Sequence, residues 1–169
     1  MLTSLSPMAF GGGLEQTSTY QASPRDLVDF EVTDIELGNN SRQARDWTNP
    51  DGSMVEYVMR DELIQINVTF TQVGTSGQPA SAVGILQIWH PVGVKVAQWS
   101  ANMTLSGFQS FRAEFYWTPN AAQSYLDENG YLQGGIILRG LVDGGLGDGN
   151  TDNNQIDRLM PVAIWNDPM

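Results

Sequence analysis

The chain has 169 residues and a mass of 18.5 kDa, enough for one domain that buries roughly two-thirds of the surface its unfolded form exposes. Its 19 Asp and Glu against 8 Lys and Arg give a formal net charge of −11, which repels nucleic acid and leaves no basic patch to grip a phosphate backbone. Cysteine is absent, excluding disulfide staples, thiol catalysis and sulfur-based zinc sites, and no stretch approaches the roughly 20 apolar residues of a membrane span.

Residues 1–26, opening on "MLTSLSPMAFGGG", are rich in Gly, Ser, Thr and Gln without periodicity, the composition of a flexible tail or linker. The same uncharged, small-residue start is like the distal end of a secretory signal peptide; an ordinary unstructured terminus reads alike. Alternation then takes over. In "VDFEVTDIEL", Val28, Phe30 and Val32 share a face before the phase slips to Ile35 and Leu37, which predicts a bulge or a change of sheet. "SRQARDWTNPDGSMVEYVM" reads as an inserted hairpin, with Pro50 and Gly52 shaping its turn.

The clearest strand is "LIQINVTFTQV", where Ile64, Ile66, Val68 and Phe70 alternate with Gln65, Asn67, Thr69 and Thr71, as in a half-buried antiparallel strand. "VGILQIWH", "GVKVAQWSANMTL" and "FRAEFYWTP" follow, the last with Phe111, Ala113, Phe115 and Trp117 on one face. "NAAQSYLDENGYL" predicts a short helical turn capped by Asn120 and closed by Asn129 and Gly130. The final pair is "GGIILRGLVD" and "NQIDRLMPVAI". About seven short strands separated by turn signals predict an all-β antiparallel sandwich. It covers residues 27–165, and 166–169 form a C-terminal tail.

Between the last two strands, "DGGLGDGNTDNNQID" places Asp148, Asn150, Asp152 and Asn154 at every second position. A helix–loop–helix calcium loop counted from Asp148 needs Gly at position 6 and a bidentate carboxylate at position 12. Those positions hold Asn153 and Leu159, so the sharp turn and the closing ligand are both lost. Asp143, Asp148, Asn150 and Asp152 stay as candidates for a looser calcium site, to which Asp157 could add an oxygen; the same residues also build a polar hairpin turn.

The segments "DFEVTDIEL", "ELIQINVTFTQVG", "AEFYWTP", "LRGLVD" and "NTDNNQIDRLMPV" together resemble the CARDB (cell-adhesion-related) domains of bacterial and archaeal surface proteins. The last is similar to the family's Asn-Glu-x-Asn-Asn turn, with Asp152 where Glu often stands and Asn153–Asn154 as the pair. The resemblance spans about residues 27 to 164, and both insertions depart from the family's compact pattern. It implies an immunoglobulin-like sandwich displayed outside the cell as a spacer, adhesive module or presenter of other domains. Its partners would be other surface proteins or neighbouring copies, and it implies no catalysis.

Three sequons, at Asn39, Asn67 and Asn102, fit an exported chain if those side chains are exposed. Catalysis can be tested by subtraction. His90 is the sole histidine, no nucleophile elbow accompanies it, and one histidine without cysteine makes a poor zinc site. Trp47, in the inserted hairpin, is the best candidate for an exposed apolar or sugar contact, which keeps a carbohydrate-binding sandwich open as an alternative. A further alternative is a filament in which "LEQTSTYQA" of the N-terminal segment adds to a neighbour's sheet edge. The leading expectation is an exported, non-enzymatic structural or adhesion module.

Overall fold

The computed structural model describes residues 27–48, 51–119 and 136–163, without the side chains of residues 44–47. Ten strands run in the order β1 (Phe30–Leu37), β2 (Ser41–Thr48), β3 (Met54–Met59), β4 (Ile64–Gln72), β5 (Ala80–Trp89), β6 (Lys95–Leu105), β7 (Ser110–Trp117), β8 (Ile136–Asp143), β9 (Gln155–Met160) and β10 (Val162–Ala163). The sandwich pairs a sheet of order β1-β4-β7 with a sheet of order β6-β5-β8-β9, and β10-β3-β2 form a third, smaller sheet. Seven strands thus make an immunoglobulin-like antiparallel sandwich, as expected. The inserted hairpin is β2–β3.

The period-2 pattern explains the packing. Ile64, Ile66, Val68 and Phe70 of β4 are at most 1% exposed and meet Leu86, Ile88 and Leu138 from the opposite sheet in one core. Fully burying a side chain of this size contributes roughly 1.5–3 kcal/mol. The phase slip in the first strand is a bulge: the β1–β4 register shifts between Val32 and Asp34, so Phe30, Val32 and Ile35 all reach the interior. Gly84 lets the sheets close, since a Cβ there would sit 2.5 Å from the Phe70 ring.

One expectation changes. "NQIDRLMPVAI" is not one strand. Pro161 lacks an N–H and cannot continue a ladder, so β9 pairs with β8 while β10 leaves to pair in parallel with β3. Its exit also ties the hairpin to the body, for Val58 N–H donates to the Pro161 carbonyl and Arg60 N–H to the Ala163 carbonyl. The short helix among the described residues is a 3-10 turn at Gly145–Gly147; the helical turn expected near Asn120 lies outside the described residues, as do residues 1–26 and 164–169.

Candidate functional site

The acidic loop joins β8 to β9 at the end of the sandwich where the chain enters β1. The side chains of Asp148 and Asn154 meet there, while those of Asp143 and Asn150 are spent on backbone amides of the turn. Asp143 Oδ1 accepts from Gly145 N–H at 3.0 Å. Asp148 is the hub: Oδ1 accepts from Phe30 N–H at 3.4 Å and Asn150 N–H at 3.4 Å, and Oδ2 from Asn154 Nδ2 at 2.9 Å. Asn150 Oδ1 accepts from Asp152 N–H at 3.2 Å. These side chains cap neighbouring amides, which is what Asx residues do in turns.

The Asn pair carries the rest. Asn153 Nδ2 donates to Asp29 Oδ1 at 3.1 Å, while the Asn153 carbonyl accepts from Val32 N–H and the Asn154 carbonyl from Val142 N–H. Val28 bridges to Asp148, and Gly149 N–H donates to the Val28 carbonyl at 2.8 Å. The turn therefore staples β8–β9 to the start of β1. Gly144 makes room for the hub, since a Cβ there would lie 2.6 Å from Asp148 Oδ2. Asp29, whose sequence context gave no signal, joins this network.

The chemistry left over is oxygen-rich. Asn153 Oδ1 and Asn154 Oδ1 are buried with no hydrogen-bond partner among the described residues, beside the carboxylates of Asp29 and Asp148. Hard oxygen donors of this kind suit calcium. Among the described residues, however, no group of three or more His, Cys, Asp or Glu side chains is placed to hold a metal ion; any cation here would draw on amide and backbone oxygens as well as carboxylates.

The other candidates separate by burial. Asn39 and Asn102 are exposed. Asn67 is 3% exposed, which corrects the expectation that it stands free on a polar strand face. The alternation holds, but β4 is the central strand. Asn67 is flanked in register by Glu36 and Glu114, and its Oδ1 accepts from Gln65 Nε2 at 2.9 Å, so no room remains for a glycan. Trp47 lies within β2, but its side chain is outside the described residues. Trp89 is no open platform: the Arg139 guanidinium lies 5.4 Å from its ring centroid. His90 is 6% exposed, and its Nδ1 accepts from Val92 N–H at 3.3 Å, a turn-forming role. One surface groove reaches the acidic loop at Asp143, and a second lies away from it. The first, of about 560 Å³, runs over Ser81, Asn102, Thr104 and Asp143, and the other between the hairpin and β9 at Glu56 and Arg158.

In solved structures, the chain is similar to the CARDB domain of the PF1109 protein from Pyrococcus furiosus, determined in complex with di-metal ions. The two share 16% identity and a TM-score of 0.52, over 85% of this chain and 100% of that one. The chain has the CARDB fold. The five quoted segments that resembled the family fall on β1, β4, β7, β8 and the β8–β9 turn with β9, which make up the whole smaller sheet of the sandwich and half of the larger one. No protein-family model and no curated protein matches the chain.

Proposed function

We propose that this protein is an exported, non-enzymatic module of cell-surface architecture or adhesion that meets other surface proteins or neighbouring copies through loop tips and sheet edges. The observation that carries this reading is the CARDB fold, together with an acidic turn whose Asp148 carboxylate ties the turn to the start of β1. Surface display is testable on intact producing cells. The protein should be labelled by a membrane-impermeant biotin reagent and lost after external protease treatment. Recovery wholly in the cytosolic fraction, protected from both, would overturn the reading.

A second reading concerns calcium, with Asp143, Asp148, Asn150 and Asp152 as the starting ligands. It is favoured by the buried, unpartnered Oδ1 atoms of Asn153 and Asn154 and by the metal complex of the Pyrococcus furiosus CARDB domain. Calcium at tenfold above its dissociation constant adds about 1.4 kcal/mol, which raises the melting temperature by roughly 4 °C in a domain of this size. Asp148→Ala combined with Asp152→Ala should abolish that rise. A parent protein whose melting is indifferent to calcium ends the idea.

A further inference from the structure

The long outer strand of the larger sheet has the features of a self-pairing edge. Among the described residues β6 pairs only with β5, so along the opposite side of its eleven residues the outward backbone N–H and C=O groups have no strand beside them. Such an edge is a template for another chain, and proteins commonly guard it with charge, proline or brevity. On β6 such guards are confined to its first two residues, where Lys95 carries a charge and the register with β5 shifts. "KVAQWSANMTL" carries one charge, at its first residue, and no proline. Beneath it the core is incompletely covered: Ala97, Trp99 and Ala101 point inward yet are only partly buried.

The geometry points to a second copy of this chain as the occupant, pairing β6 with β6 antiparallel about a two-fold axis at Ser100. Charge selects this edge. Two molecules of net charge −11 repel, and β1 presents Glu31, Asp34 and Glu36 while β9 presents Asp157. β7, the other strand bordering the same open side, carries Arg112 and Glu114, already engaged by Glu36 and Tyr116. Among the four edge strands of the two main sheets, only β6 brings no acidic group to the contact.

Shape selects the register. Ser100 is the midpoint of β6, and pairing about it sets the inward Trp99 and Met103 each against a small residue, while Leu105 falls opposite the partner's Lys95 at the ends of the seam. Trp99 faces the partner's Ala101, and Met103 faces the partner's Ala97. On the outer face Gln98 lies opposite the partner's Asn102. Directly opposed residues in an antiparallel pair are close enough to interact through their side chains, so large-against-small pairing fills the seam without overpacking. The product is one continuous sheet across two molecules, closed by its own symmetry.

Sedimentation equilibrium on the full chain tests this directly, with an expected mass twice the 18.5 kDa of one chain. Ser100 is exposed, so Ser100→Glu and Ser100→Lys should fold like the parent. Each should weaken dimerisation at least about tenfold, because like charges then meet at the axis. Mixing the two variants should restore the dimer. Independently, Ser100→Cys should oxidise to a covalent dimer in this cysteine-free chain, while Ser110→Cys on β7 should not. A monomeric parent, a dimer indifferent to both charges, an open-ended polymer, or equal cross-linking at both cysteines would overturn the proposal.

Discussion

Gln72 occupies the last inward position of β4, in phase with Phe70, and is 0% exposed. Neither Nε2 nor Oε1 of its amide has a hydrogen-bond partner among the described residues. Leaving a buried polar group unsatisfied costs roughly 1–3 kcal/mol, whereas an apolar group of the same shape carries no such penalty. Methionine is nearly isosteric, so Gln72→Met should raise stability by about 1 kcal/mol, read as an increase in the urea midpoint with an unchanged slope. A lower midpoint would show that the amide is satisfied in solution. Its burial follows from phase, which the alternation in "LIQINVTFTQV" already carried. Its lack of a partner depends on what the loops at that end of the sandwich offer, and no pattern in the strand encodes that.

Among elements, the β8–β9 ladder is locked on its outer face by a bidentate pair, with Arg139 Nε and Nη2 donating to the two carboxylate oxygens of Asp157 at 2.8 and 2.7 Å. The hydrogen bonds from Arg139 hold the Asp157 carboxyl below the ordinary carboxylate range, against a smaller opposing effect of burial. A carboxylate depressed by folding contributes stability above its unfolded pKa, near 3.9, and that contribution disappears as pH falls through the lower folded value. Asp157→Asn should therefore lower stability at pH 7 and converge on the parent in strong acid, as measured by urea titrations across that range. The Asp157 side chain is 38% exposed, so solvent screening keeps the loss below about 1 kcal/mol. A difference that persists undiminished at the acid limit would assign the effect to packing. Elsewhere on β9, Arg158 pairs with Glu56 of the hairpin and donates to the Ile35 carbonyl at 2.5 Å, so one strand holds both β1 and the insertion.

At the scale of the molecule, net charge and edge placement act together. The acidic residues are spread over β1, β7, β9 and the β8–β9 turn, while β6 is left nearly neutral. Long-range repulsion between copies is screened by salt, with a Debye length of about 10 Å at 0.1 M. The proposed dimer should accordingly tighten as ionic strength rises, the opposite of a complex held by attraction between charges. Exposed Asn102 lies on β6 itself. A glycan there would stand next to the two-fold axis, so modification at its sequon and self-pairing compete for the same surface.

What the sequence determined by itself is local: the all-β class, the inward residues of each strand, the bulge in β1 and the hairpin between β1 and β4. These follow from the two-residue alternation of side-chain direction and from turn residues, which depend on a few neighbours along the chain. What the tertiary structure decided involves partners far apart in sequence. Asp148 is a staple because Phe30, 118 residues away, lends it an amide. Asn67 is buried between Glu36 and Glu114 of adjacent strands, and β10 pairs with β3 of the hairpin, far away in sequence. Alternation specifies which way a side chain points; what it meets there depends on strand order and on which edge is left bare.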